Sequence, residues 1–129
     1  MIGGIGVDTI EVERFLQWHT YSKKKLSRIF SQEEIDYCLQ QPDKSAERFA
    51  VRFATREALY KALSYLYPDK KIPFLTLCSR ITITKKSARP YLVVTGDIGV
   101  GLNGLVIHLS LSHTRAYATA VVIIEQRRL

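Results

Sequence analysis

The sequence predicts an α+β fold in which a long helix packs on an antiparallel sheet. Three observations predict it. Helical periodicity fills the first half of the 129 residues and period-two alternation the second. The stretch from Ser45 to Leu66 is rich in Ala, Leu, Arg and Glu and holds neither Gly nor Pro. Two late apolar runs are separated only by Ser112-His113-Thr114-Arg115, a gap short enough for an antiparallel hairpin. The length suits one domain over residues 1–129, and a content of 47% apolar and 24% charged residues is that of an ordinary globular chain.

Residues 2–8 read as a short, Gly-rich buried strand. The segment from Glu11 to Arg28 reads as helical and polar on one side. The next helix starts at Ser31, because Ser31-Gln32-Glu33-Glu34 has capping-box spacing and Ile35 and Leu39 follow at helical intervals. Gln41-Pro42-Asp43 ends it, and the long helix follows. After Pro68 the pattern changes: Arg80–Thr84 alternates as a strand, Lys85–Arg89 is a turn, and Pro90–Thr95 is a second strand. Beyond a Gly-rich stretch, Leu105–Ser112 and Tyr117–Glu125 form the last hairpin. Gly99-Val100-Gly101-Leu102-Asn103-Gly104 matches a dinucleotide fingerprint, but a strand follows it where a helix is required, so it is a connection.

Nineteen Lys and Arg against twelve Asp and Glu leave a net charge of +7. Such an excess favours an anionic partner: nucleic acid, a phosphorylated small molecule or an acidic protein. Cys38 and Cys78 form no disulfide framework and suit a reducing cytosol. The N-terminal apolar run lacks a basic flank and is broken by Asp8, which excludes a signal peptide, and no run is long enough for a membrane helix. A soluble, cytoplasmic protein is expected.

Glu57 falls in the middle of an arc formed by Ala46, Phe49, Ala50, Phe53 and Tyr60, where an apolar residue is expected. A carboxylate there must be paired, bound to a cation or protonated. Lys61 lies one turn on, so the two are either an ordinary i,i+4 pair or a metal ligand beside a phosphate contact. Asp8 likewise has two readings. It N-caps the following helix, or it joins Glu57 in holding Mg²⁺, which takes few carboxylates and completes its shell with water and phosphate. A Ser/His/Asp hydrolase lacks its nucleophile elbow, and the histidines and cysteines lack zinc spacing. Arg14, Lys23, Lys24, Lys25 and Arg28 form a basic cluster with Trp18 and Tyr21 nearby, which leaves a nucleic-acid module open.

Three blocks together resemble the holo-acyl-carrier-protein synthases, the small bacterial branch of the 4′-phosphopantetheinyl transferases. They are Gly4-Ile5-Gly6-Val7-Asp8 with its continuation to Phe15, Glu47-Arg48-Phe49-Ala50-Val51-Arg52-Phe53-Ala54-Thr55-Arg56-Glu57-Ala58-Leu59-Tyr60-Lys61-Ala62-Leu63, and His108-Leu109-Ser110-Leu111-Ser112-His113-Thr114 followed by Tyr117-Ala118-Thr119-Ala120. The resemblance implies the 4′-phosphopantetheinyl transferase fold and a Mg²⁺-dependent transfer of phosphopantetheine from coenzyme A to a carrier-protein serine, releasing adenosine 3′,5′-bisphosphate. That reaction serves fatty acid biosynthesis. It implies Asp8 and Glu57 as metal ligands, Glu57 and Lys61 as catalytic residues, and Arg52, Arg56, Lys61, Ser112, His113 and Thr114 at coenzyme A. The basic cluster would meet an acidic acyl carrier protein, and the family is typically a homotrimer with sites between subunits. On this reading neither nucleic acid nor membrane is a partner. The alternative is a non-catalytic basic module binding nucleic acid or a carrier protein. Three departures from the family pattern stand out: Arg56 for Lys, Ser64-Tyr65-Leu66 for Gly-Thr-Gly, and Ala88-Arg89-Pro90 for Gly-Lys-Pro. Loss of those glycines is expected to reshape the nucleotide pocket.

Overall fold

The computed structural model describes residues 1–86, 89–94 and 104–127. Strand β1 (Ile2–Glu11) opens the chain, and two 3₁₀ turns, Val12–Phe15 and Trp18–Thr20, lead to the short helix α1 (Lys23–Leu26). Helix α2 (Gln32–Leu39) and a 3₁₀ turn at Pro42–Lys44 precede the long helix α3 (Ser45–Leu66). Helix α4 (Phe74–Ser79), the strands β2 (Ile81–Lys86) and β3 (Arg89–Val94), and the strands β4 (Leu105–His113) and β5 (Tyr117–Gln126) complete the order. The α+β expectation holds: α3 lies across a three-stranded antiparallel sheet ordered β1-β5-β4, and β2 and β3 form a separate hairpin. Gly99–Asn103 of the fingerprint and part of the turn expected at Lys85–Arg89 lie outside the described residues.

Alternation assigns the sheet two faces. Gly4, Gly6 and Ile10 of β1 and Ala118, Ala120, Val122 and Ile124 of β5 are buried beneath α3. Ile5 and Val7, one residue out of phase, are 59% and 52% exposed on the outer face. Small residues explain the close fit. A Cβ built on Gly6 would stand 1.8 Å from the Ala58 carbonyl oxygen, and one on Gly4 would stand 2.4 Å from that of Ala62. No other residue type lets a strand lie this close to a helix backbone.

Two expected elements differ. The helix expected over Glu11–Arg28 is three short pieces, because tertiary packing overrides its helical propensity. Phe15, Leu26 and Phe30 are buried, and Trp18 packs with centroids 4.5–6.2 Å from Phe15, Tyr21, Phe30, Phe49 and Phe53. Trp18 is thus a packing residue rather than an exposed platform for bases. Strand β1 runs on to Glu11, so Asp8 is within a strand and does not cap a helix. Helix α4 was not anticipated from the sequence; a segment of six residues is too short to show a period.

The capping box at Ser31 is formed, with the Ser31 hydroxyl accepting from the Glu34 amide and the Glu34 side chain accepting from the Ser31 amide. Glu34 is also the acceptor for Arg56. Both side chains are fully buried, with Nη2 and Nη1 donating to Oε1 and Oε2 at 2.6 and 2.8 Å. Arg56 donates further to the carbonyls of Cys78, Ile81 and Arg52. One planar fork therefore ties α2, α3, α4 and β2 together, a geometry an ammonium cannot reproduce.

Candidate active site

The glycine contacts set the position of the first acid. Gly4 lies against Ala62 and Gly6 against Ala58, so the next residue on that face, Asp8, is carried toward the preceding turn of α3. Lys61 reaches across from α3. Its Nζ donates to Asp8 Oδ1 at 3.0 Å and to the Val7 carbonyl at 3.1 Å. An ammonium has three donors, so one remains for an incoming acceptor. The Asp8 side chain is 17% exposed and that of Lys61 52%, which makes the cluster a shallow, accessible surface feature.

Glu57, half-buried one turn before Lys61, completes the cluster. Its proton affinity is raised above the ordinary carboxylate value. Burial is the largest cause, and the negative charge of Asp8 adds to it, while Lys61 and Arg14 act in the opposite sense. Two carboxylates close enough to repel are a natural seat for a hard dication, which relieves both the repulsion and the cost of burial. Among the described residues no group of three or more His, Cys, Asp and Glu is arranged for a metal ion. A dication here would depend on oxygen donors beyond Asp8 and Glu57. Of the arc expected around Glu57, Phe49 and Ala50 are fully buried while Ala46, Phe53 and Tyr60 are half-buried, and the Ala54, Ala58, Ala62 row is fully buried as well.

A second feature lies elsewhere on α3. A groove of about 360 Å³ is lined by Lys44, Glu47, Arg48 and Arg52 of α3 and its entry, by Tyr37 of α2, and by His113 at the end of β4. Helix geometry sets Arg52 about 140° and Arg48 about 180° around α3 from Glu57. The acids and the groove thus occupy different sides of one helix. His113 Nδ1 stands 3.6 Å from Glu47 Oε2, closing one wall.

The expected nucleotide contacts divide accordingly. Arg52 and His113 do meet in the groove. Arg56 does not: it is fully buried with its donors engaged by Glu34 and three carbonyls, so the expectation that it faces phosphate is corrected. Ser112, out of phase with His113, is paired with Thr119 on the outer face of the sheet and does not line the groove. The Thr114 hydroxyl accepts from the amides of Ala116 and Tyr117 and shapes the β4–β5 turn. Ser64-Tyr65-Leu66, which departs from the Gly-Thr-Gly of the family pattern, forms the last turn of α3.

Arg14, Lys23, Lys24, Lys25 and Arg28 are all exposed, with Lys25 Nζ 3.8 Å above the Tyr21 ring. Arg14 is near enough to Glu57 to influence it, so the basic surface adjoins the acids. Sequence reasoning missed Tyr37, Lys44, Glu47 and Arg48. Only their assembly around the groove singles them out.

A model of the 4′-phosphopantetheinyl transferase superfamily matches residues 4–122. The chain belongs to that superfamily and is an enzyme. Its similarity within the superfamily is to the holo-[acyl-carrier-protein] synthases. The one from Treponema denticola is 40% identical over 128 residues, covering 97% of this chain and 99% of that protein. The crystal structure of a Bacillus anthracis holo-(acyl-carrier-protein) synthase in complex with CoA (3′,5′-ADP) superposes with a TM-score of 0.76 at 27% identity, covering 98% of each chain. The ACPS–CoA complex from Chronobacterium ammoniagenes gives 0.81 at 25% identity, covering 97% of this chain and 98% of that one. Among the described residues no helix is long and apolar enough to cross a membrane.

Proposed function

We propose that the chain transfers 4′-phosphopantetheine from coenzyme A to a serine of an apo-acyl carrier protein, for fatty acid biosynthesis. The observation that carries this reading is the meeting of Asp8, Glu57 and Lys61 on one accessible edge of α3. In the reaction the serine Oγ bonds to the β-phosphorus, the bond from that phosphorus to the bridging oxygen breaks, and adenosine 3′,5′-bisphosphate leaves. The serine proton passes to Glu57, the carboxylate that stands beside Asp8 and Lys61 at the open edge of α3. Lys61 offers its remaining donor to a phosphate oxygen. Asp8 and Glu57 would hold Mg²⁺, which would supply charge neutralisation for the pyrophosphate.

Arg14, Lys23, Lys24, Lys25 and Arg28 would receive the acidic carrier protein. A basic rim of this kind raises association rate and makes binding salt-sensitive. Since Arg14 adjoins Glu57, docking there delivers a serine toward the acids. The nucleotide end of coenzyme A would lie in the groove of Arg52 and His113. Because that groove and the acids lie on different sides of α3, one coenzyme A is best served by the acids of one copy and the groove of another. The outer face of the sheet, with Ile5 and Val7 exposed, offers the contact for a homotrimer. The two buried free cysteines, whose thiols burial pushes up to about 12, suit the reducing cytoplasm.

The test is to incubate the protein with Mg²⁺, coenzyme A and an apo-acyl carrier protein and to weigh the carrier. A phosphopantetheine-sized gain, lost in Asp8→Ala and Glu57→Ala and without added Mg²⁺, is expected. An unmodified carrier under all conditions would refute the reading.

A further inference from the structure

The last turn of α3 presents a ring that the fold leaves uncovered. Tyr65 is 77% exposed, more than any other large apolar side chain among the described residues. Its backbone is nevertheless firmly held. The Tyr67 amide donates to the Leu63 carbonyl at 2.8 Å and closes that turn. The start of β1 presses against it, since a Cβ built on Gly3 would stand 2.9 Å from Leu66 Cδ1. Tyr65 follows Lys61 by four residues, which sets the two about 40° apart around α3 and about 6 Å apart along it. The Cα–Cβ bond of a helical residue tilts toward the helix N-terminus, which carries the ring toward Lys61. Lys61 itself points to β1, where its Nζ meets Asp8 and the Val7 carbonyl. Because β1 is an edge strand of the sheet, the exposed ring stands at an open edge of the molecule, one turn beyond the ammonium.

We propose that Tyr65 is a specificity residue of the donor site, on whose ring the purine base of coenzyme A stacks. The inference rests on coenzyme A being the donor. With the pyrophosphate at Asp8, Glu57 and Lys61, the base follows at one ribose's remove, a length comparable to the turn that separates Lys61 from Tyr65. The ribose bears its base and its phosphate at different positions, so one meets Tyr65 while the other reaches toward the groove of a second copy. A neutral purine has a flat π face and stacks on an aromatic ring without requiring a hydrogen bond. Tyr suits the task, because only two side-chain torsions are fixed on binding and the closed helical turn already fixes its backbone. The family pattern carries Gly-Thr-Gly here and offers no ring. Ser64-Tyr65-Leu66 instead extends the helix and supplies one.

An exposed ring can also serve as a contact between copies, so the two roles must be told apart. The wild type, Tyr65→Leu and Tyr65→Phe are titrated with 1,N6-ethenoadenosine 3′,5′-bisphosphate, whose anisotropy reports binding and whose emission falls when its base stacks on an aromatic ring. Steady-state rates with coenzyme A, a thermal melt and sedimentation accompany each. The bound probe is expected to be quenched by the wild type and by Tyr65→Phe and to stay bright on Tyr65→Leu. Tyr65→Leu is expected to raise KM for coenzyme A about tenfold with kcat preserved, and Tyr65→Phe to behave as the wild type. An unchanged KM in Tyr65→Leu overturns the proposal. So does a Tyr65→Leu protein whose loss of activity follows an altered association state, which marks a contact between copies. Tyr65→Phe as impaired as Tyr65→Leu also overturns it, because the hydroxyl rather than the ring then matters. A wild type that modifies the carrier and leaves the bound probe bright overturns only the proposal. A wild type that neither modifies the carrier nor binds the probe overturns the function on which it rests as well.

Discussion

At the scale of single residues the site is defined by unequal acids. Asp8 has an ammonium at 3.0 Å, whereas Glu57 answers mainly to burial and to the charge of Asp8. The consequence for stability has a definite sign. A carboxyl whose proton affinity is higher in the folded chain than in the unfolded one contributes its stabilisation below the unfolded value, 4.5 for this group. That contribution is lost as pH rises through the higher, folded value. At neutral pH the ionised Glu57 therefore weakens the ligand-free fold. Glu57→Gln is expected to melt above the wild type at pH 7 while losing transferase activity, and the gap should close as pH falls below about 4.5. Thermal melts across pH check this; a wild type that melts higher at pH 7 would contradict it. Arg56 carries the opposite lesson. It neighbours Glu57 in sequence and is as basic as any phosphate contact, yet helix geometry turns it 100° away, into Glu34. Charge type was legible in the sequence at this position, and direction was not.

At the scale of elements the pairing of β1 with α3 governs the site. Gly4 and Gly6 bring the strand onto the helix backbone, and the same alternation then presents Asp8. Gly6→Ala puts a methyl group 1.8 Å from a carbonyl oxygen that belongs to a rigid helix and cannot step aside. The strand must move, at a cost of about 3 kcal/mol or more. The loss of activity in this variant should exceed what its unfolded fraction explains, because Asp8 moves with the strand. Denaturant melts beside transfer rates decide it; native activity per folded molecule would count against this account. The long helix, the capping box and the strands after Arg80 were legible because each has a period or a capping signal long enough to read. The stretch from Glu11 to Arg28 was not, because tertiary burial of Phe15, Leu26 and Phe30 and the packing of Trp18 override its helical propensity. The groove was illegible for another reason: Tyr37, Arg48 and His113 come from three elements that only the tertiary fold assembles.

At the scale of the whole molecule, the acids and the groove sit on different sides of α3. If one coenzyme A spans two copies, defects in the two half-sites complement each other. Glu57→Ala and Arg52→Ala proteins, each expected to be nearly inactive alone, should recover a substantial fraction of activity when unfolded and refolded together. Glu57→Ala mixed with Asp8→Ala should recover none, since both lesions fall in the same half-site. Transfer rates of the mixtures report the outcome, and a pair that stays inactive while wild-type refolding succeeds would argue for a site within one copy. The sequence contains every residue of the acid cluster and of the groove, but their separation to different sides of α3 shows only in the folded chain.

The approach of Gly6 to Ala58 has one more consequence. The distance from β1 to the helix at Gly4 and Gly6 is set by backbone atoms of Ala62 and Ala58, with no side chain on the glycines to intervene. Substitutions that swell or shrink the aromatic cluster around Trp18 can retune stability without altering that distance. The acid spacing is thereby insulated from drift in the core, so lineages with divergent interiors can keep the same chemistry so long as the two glycines persist.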